Sequence, residues 1–378
     1  IIGDIELYAR AVNALAPHQR PRTIGVTGTN GKSTTTALIG HILNACGKDA
    51  RIGGNIGTSV LDLPPLHAGA IYVLELSSYQ LDLTHTLRCD AAVLLNITPD
   101  HLDRHGGMEG YINAKKRIFL NQGVGDWAIV GIDTPETAAI CSELTRLNAR
   151  TIAPISNAQA VGKGVSVLGG VLYDSLSGRA IAVMDQAAAP ALPGKHNAQN
   201  ISAAYAAARA MGLDPRAIAD AIQTFPGLAH RLEAAGSIDG VRFINDSKAT
   251  NADAAAQALA CYPKVRWILG GVAKDGGIDS LAQFFPRIAR AYLIGEAGPS
   301  FGATLQRAGV ATSACVTMER AVREAFEDAR ASGETDEIVL LAPACASFDQ
   351  YSDFEKRGDD FKARVNALRT MAEQGDAA

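Results

Sequence analysis

Two α/β domains are what this sequence predicts: a central-type domain with a mostly parallel sheet and a P-loop-like turn, then a doubly wound, Rossmann-like one. Three observations carry that expectation. Short runs apolar on both faces recur along the chain, each followed by a turn rich in Gly, Asn or Ser and then by a segment with helical spacing. Strands of that kind belong to parallel sheets covered by helices on both sides. The alternation pauses near residue 227 and then restarts, and 378 residues exceed what one hydrophobic core commonly organises.

Taken in order, residues 1–10 (IIGDIELYAR) read as a connecting segment. The chain starts on Ile1 rather than methionine, so it is expected to begin partway through its natural product. The first domain is placed at 11–227. Its strand candidates are TIGVT, IYVLEL, AAVLLNI and WAIVGI, uninterrupted by charge except at Glu75. From about Thr151 to Met184, short β-like pieces separated by Gly predict a small antiparallel patch. An Ala-rich helix then stops at Gly212, and Asp214 with Pro215 opens another. PGLAHR, Pro226 to Arg231, reads as a linker, and the second domain is placed at 228–378 with strands VRFIND, VRWILGG, RAYLIG and EIVLLAPA.

Composition excludes several classes. With 35 basic and 39 acidic residues the net charge is -4, and no face collects Lys and Arg, so nucleic acid is not an expected partner. Apolar runs fall short of the roughly 18 residues that a membrane span needs, and no signal segment leads the chain. Six scattered cysteines without a C-x-x-C pair speak against a zinc site or a disulfide framework and for a reducing cytoplasm.

The chemistry concentrates in a few stretches. GVTGTNGKSTTT, residues 25 to 36, places a Gly-rich turn between a strand and a helix, where backbone N–H groups can hold phosphate. Gly28, Thr29, Asn30 and Gly31 would form the cradle, Lys32 would reach the terminal phosphates, and Ser33 or Thr34 would bind Mg²⁺. Val26 stands where the usual spacing has glycine, so an ordinary strand-to-helix turn is the competing reading. Glu75 lies inside an apolar strand, where an unpaired carboxylate costs several kcal/mol. A metal-binding acid is preferred there to a salt-bridged core acid. NITPDHLDRHG, 96 to 106, follows another strand and brings Asp100, His101 and Asp103 to the carboxyl end of the sheet. His101 is read as a metal or phosphate ligand rather than a surface histidine. Lys115, Lys116 and Arg117 read, by themselves, as solvated charge. His196, Asn197 and Asn200 share a helix start, with the two asparagines on one face. Arg231, Asp246 and Lys248 mark segment ends in the second domain.

TGTNGKST, GGNIG (53 to 57), LELSSYQL, TPDHLDRH, AKKRIF, GKHNAQN, HRLE, NDSKATN, LGG and PACASFDQYSDFEKRGDDF (343 to 361) occur in one order and spacing. In this the chain resembles the Mur ligases over nearly its whole length, and ELSSYQ and PACASFDQ resemble the glutamate-adding branch. The resemblance implies three domains: an N-terminal UDP-binding one, expected to be absent from this chain, a central ATPase domain and a C-terminal amino-acid domain. It implies peptidoglycan synthesis, hence a part in cell-wall growth, shape and division. The small-molecule substrates implied are UDP-MurNAc-L-alanine, D-glutamate and ATP, joined through an acyl phosphate by a cytoplasmic monomer.

By the same resemblance Lys32 contacts the β- and γ-phosphates, Ser33 and Glu75 hold one Mg²⁺, and His101 with a carbamylated Lys115 holds a second. Asn55 and His101 would face the reacting carboxylate, and Asn197, Asn200, Arg231 and Asp246 would grip ATP. Thr250, Lys274, Ser347 and Phe354 match the glutamate site, and Phe348 departs from the smaller apolar residue expected there. Closure about residue 227 is expected to gate the reaction. A ligase adding L-glutamate, a folylpolyglutamate synthase-like enzyme and an inactive nucleotide-binding module are the competing expectations. The last predicts losses at Lys32, Glu75, His101 and Lys115, all of which are present.

Overall fold

A computed structural model describes residues 1–274 and 276–375, folded as two units, Ile1–Pro226 and Gly227–Ala378. In chain order the first unit begins α1 (Asp4–Ala14), β1 (Arg22–Thr27), α2 (Lys32–Ala45), β2 (Asp49–Gly54), β3 (Ala70–Glu75), α3 (Ser78–Asp82) and β4 (Ala91–Leu94). It continues α4 (Leu102–His105), α5 (Met108–Lys116), β5 (Trp127–Gly131), α6 (Pro135–Leu147) and β6 (Thr151–Ser156). It ends β7 (Val165–Leu168), β8 (Val171–Asp174), β9 (Ile181–Asp185), α7 (Lys195–Ala210) and α8 (Pro215–Gln223).

The nine strands form one sheet in the order β2-β3-β1-β4-β5-β6-β7-β8-β9. Side chains of alternate residues feed two cores. Ile24, Val26, Val73 and Val93 pack under α2 and α7, while Leu74, Leu94 and Val130 pack on the other face with Tyr111 and Ile140. The order reverses at β1, whose neighbours are β3 on one side and β4 on the other. Loops leaving β1, β3 and β4 therefore converge at the carboxyl end of the sheet, the switch point where open α/β sheets place ligands.

Three sequence expectations change here. Residues 1–10 are not a detached connector, because Ile5, Tyr8 and Ala9 of α1 are buried in the first unit's core. Buried Glu6 accepts bonds from the backbone N–H groups of His85 and Thr86, at 2.7 and 2.8 Å. The patch from Thr151 to Met184 is antiparallel only over β7, β8 and β9; β6 pairs parallel with both β5 and β7. Pro154 interrupts the apolar run of β6 and hid its membership in the main sheet. Edge strand β2 was hidden for another reason: with only one neighbour and its residues mostly half-buried, it has little need of apolar side chains.

The second unit comprises β10 (Glu233–Ile238), β11 (Val241–Asn245), α9 (Ala252–Ala260), β12 (Val265–Gly270), β13 (Val272–Ala273) and β14 (Ile288–Ile294). α10 (Gly298–Arg307), β15 (Thr312–Val316), α11 (Met318–Ser332), β16 (Ile338–Leu341), β17 (Cys345–Ala346) and α12 (Phe354–Gly375) complete it. Its main sheet runs β10-β11-β16-β12-β14-β15 and is parallel except for β10 against β11. β16 lies between β11 and β12, so the loops after these three strands meet at one edge. Among the described residues no helix is long and apolar enough to cross a membrane.

Candidate active site

β1 ends at Thr27 and α2 begins at Lys32, so Gly28 to Gly31 form the turn between them. Gly31 holds φ at 83°, in the left-handed region that glycine tolerates. A Cβ there would meet Asn200 Oδ1 at 2.3 Å. Asn200 accepts from Thr35 Oγ1 at 3.1 Å and donates to Asn197 Oδ1 at 2.9 Å, and Asn197 donates to Pro193 O. The two asparagines share a helix face, as their spacing requires, and are buried behind the loop as its brace. Nearby, burial pulls the His196 imidazole down to about 4, so it is neutral at physiological pH.

A residue without an assigned role clips the loop in front. Asn96, just past β4, accepts from Asn30 N at 2.8 Å and donates to Asn30 O at 3.2 Å and to Gln199 Oε1 at 2.7 Å. Its backbone carbonyl accepts from Thr29 N. The signal was present in NITPDH, but a side-chain amide pairing with a main chain 66 residues away leaves no local pattern.

Two lysines converge on one carbonyl. Lys32 Nζ donates to Gly28 O at 3.0 Å and Thr29 O at 2.8 Å, and Lys115 Nζ donates to Gly28 O at 2.8 Å and Thr27 Oγ1 at 3.4 Å. Lys115 is 1% exposed, with Nζ 4.8 Å from the centre of the Tyr111 ring. Burial, reinforced by the neighbouring Lys32 charge, pulls its amine down to about 7. The solvated-surface reading therefore fails for Lys115, and its half-buried neighbours are tied down as well: Lys116 pairs with Glu143 at 2.7 Å, and Arg117 donates to Leu81 O.

Glu75 ends β3 and is 2% exposed. Its Oε1 accepts from Asn55 Nδ2 at 2.8 Å, while Oε2 is buried without a hydrogen-bond partner. An orphaned buried carboxylate oxygen is a donor of the hard oxygen type that suits Mg²⁺. Among the described residues no three His, Cys, Asp or Glu side chains gather as a metal-holding group. Any ion would have to draw on hydroxyl, substrate or water oxygens as well. His101 opens α4 with φ at 51°, its Nδ1 3.3 Å from the Tyr79 hydroxyl and its Nε2 3.5 Å from Asp100 Oδ2. A pocket of about 450 Å³ brings together Lys32, Asn55, Tyr79, His101, Tyr111 and Lys115.

In the second unit, Asp246 follows β11 and accepts from Leu232 N at 3.1 Å, and burial pushes its carboxyl up to about 7. Arg231 is half-buried in the same turn. Lys248 Nζ lies 4.1 Å from the centre of the Phe354 ring. Ser347 is buried, Phe348 is 73% exposed, Thr250 is half-buried and Lys274 is exposed. Arg357, which carried no sequence expectation, is 1% exposed and donates to Ser247 Oγ, Ser247 O and Cys345 O. It thereby ties the loop after β11 to that after β16.

A Gly-rich turn at a sheet switch point, two lysines on one carbonyl and a buried carboxylate with one unbonded oxygen form a site in an α/β fold whose chemistry suits phosphate. The chain belongs to the Mur ligase family: residues 26–208 match the Mur ligase middle domain, and residues 230–345 match the Mur ligase glutamate ligase domain. It is 62% identical over 371 residues to the UDP-N-acetylmuramoylalanine--D-glutamate ligase of Caulobacter vibrioides, covering 97% of this chain and 78% of that one. Identity to the protein of the same name from Phenylobacterium zucineum is 57% over 378 residues, 100% of this chain and 80% of that one. In fold it is similar to the UDP-N-acetylmuramate-alanine ligase of Thermotoga maritima, with TM-score 0.67 and 16% identity, covering 96% of this chain and 78% of that one.

Proposed function

We propose that this protein is an ATP-dependent ligase that joins D-glutamate to the alanyl carboxylate of UDP-MurNAc-L-alanine, as the names of its relatives indicate. The observation that carries the reading is the convergence of the Lys32 and Lys115 side chains on the Gly28 carbonyl, in the Gly-rich turn that opens α2. Lysine side chains gathered at the N-terminus of a helix suit a phosphate.

The carboxylate oxygen attacks the γ-phosphorus of ATP, the bond to the β-phosphate oxygen breaks, and ADP leaves. The glutamate amine then attacks the acyl phosphate carbon, loses a proton, and expels inorganic phosphate. Lys32 would follow the charge on the transferring phosphoryl group, and Asn55 would steady Glu75 while facing the acceptor carboxylate. Gly28, Thr29, Asn30 and Gly31 would line the phosphate cradle, with Thr34 at the same turn. Ser33 and Glu75 would hold one Mg²⁺, and His101 with Lys115 a second. When bound, these ions supply neutralising charge for the phosphates. Lys115 fits that second site only as a carbamate, since its amine is a donor. An amine near 7 has the neutral form that can take up CO₂.

Asn197 and Asn200 would serve ATP through the loop they brace, and Arg231 and Asp246 would complete the nucleotide contacts. Thr250, Lys274, Ser347, Phe348 and Phe354 would receive the two carboxylates of glutamate. The proposed unit of function is a cytoplasmic monomer. Phosphate release measured with UDP-MurNAc-L-alanine and D- or L-glutamate, run side by side, tests the reading. Release that depends on D-glutamate is expected, and calorimetry showing no MgATP binding overturns it.

A further inference from the structure

Glu233 ends the HRLE stretch and opens β10, and it has no part in the chemistry described above. Its carboxylate nevertheless holds the turn that carries Arg231. Oε2 accepts from His230 N at 2.9 Å and from Asn245 Nδ2 at 2.9 Å, and Oε1 accepts from Lys362 Nζ at 3.1 Å. The direction of the bond to the turn follows from its groups, since a backbone N–H donates and a carboxylate accepts.

Arg231 is flanked on both sides by strained backbone. His230 holds φ at 62° and Leu232 at 46°, the left-handed region that a residue with a Cβ enters at a cost. Each of the two is fastened by its amide to a carboxylate, His230 to Glu233 and Leu232 to Asp246 at 3.1 Å. Between them Arg231 N donates to Leu228 O, and Lys248 N donates to His230 O. α12 packs hard against the same turn, where a Cβ on Gly358 would meet His230 Nδ1 at 2.1 Å.

We propose that Glu233 is a positioning residue: by pinning the strained turn at His230 it aims the Arg231 guanidinium at the nucleotide. Backbone strain persists only where the surroundings over-determine it, and it collects where a functional side chain must be held in one direction. A change of φ at His230 from positive to negative would swing the Arg231 Cα–Cβ bond, so the clamp decides where the guanidinium reaches. The carboxylate acts through the backbone and needs no contact with the nucleotide itself.

This inference rests on the reading that Arg231 meets ATP, and a double-mutant cycle read by calorimetric titration with MgATP separates the two. Arg231→Ala is expected to weaken MgATP binding about tenfold, through loss of one charge-assisted contact. Glu233→Ala should weaken it about fivefold when Arg231 is present, and less than about twofold once Arg231 is already alanine. Glu233→Gln keeps an acceptor for the His230 amide and should stay within about twofold of the wild type. Any fall in thermal midpoint on Glu233→Ala should be alike in both backgrounds, so lost folding cannot imitate the coupling. Wild-type affinity in Arg231→Ala or Glu233→Ala, the same loss from Glu233→Ala with and without Arg231, or a Glu233→Gln variant as weak as Glu233→Ala overturns the inference and leaves the ligase reading intact. A wild type that binds no MgATP defeats both.

Discussion

Replacing Gly31 by alanine probes the phosphate loop at its tightest point. Two costs can be worked from the structure. At φ 83° an alanine pays about 1–2 kcal/mol for the left-handed conformation. Its Cβ would also lie 2.3 Å from Asn200 Oδ1 and 3.2 Å from Leu95 Cδ1. Asn200 cannot retreat freely, because it is buried and bonded to both Thr35 and Asn197. Displacing it leaves a buried hydroxyl or amide unsatisfied, for about 1–3 kcal/mol more. A total of about 2–5 kcal/mol corresponds to a fall of about 4–20 °C in the melting temperature of the first unit. Scanning calorimetry reads that loss, and titration with MgATP reads the misplacement of the loop N–H groups. Adding Asn200→Ala removes the clash but not the φ penalty, so the double variant should recover part of the loss relative to Gly31→Ala. An unchanged midpoint and unchanged MgATP affinity in Gly31→Ala would refute the argument.

Asn96→Ala deletes both side-chain bonds to Asn30, and at about 1 kcal/mol each MgATP affinity should fall about tenfold or more. Asn96→Asp keeps the acceptor for Asn30 N and should lose less; equal affinity in all three proteins would reject the clip. Lys115→Ala should lower ligation about 100-fold or more, with partial recovery in added acetate or formate. Full activity without the additive rejects the carbamate. Burial alone would raise the Glu6 carboxyl, but bonds from the Thr86 and His85 backbones, Arg10 and the Thr86 hydroxyl bring it from 4.5 down to about 2. The depressed value means that its stabilisation is complete above about pH 4.5 and disappears as pH falls towards 2, worth at most about 2 kcal/mol after solvent screening. Glu6→Gln should flatten acid unfolding of the first unit in that window, and an unchanged acid profile would count against the linkage.

How much was legible in advance depended on where the determining interactions lie along the chain. β1, β3, β4 and β5 were readable because strands buried on both faces must be apolar throughout, and α8 because Asp214 and Pro215 signal locally, as the bonds from Arg216 N and Ala217 N to Asp214 Oδ1 bear out. The ordered motifs likewise determined the family and the identity of Lys32, Glu75, His101 and Lys115 as the residues to examine. Tertiary structure decided the surroundings of each one. Lys115 sits in a run of charges, and only packing against Tyr111 and the Gly28 carbonyl makes it a buried amine near 7 rather than a solvated cation. Asn96 and Arg357 bond to main-chain atoms 66 and 110 residues away, on segments that each sheet's strand order brings together. Local sequence determines periodicity and caps because those depend on neighbours within a few residues. Desolvation and orphaned polar atoms depend on what the fold places across the gap.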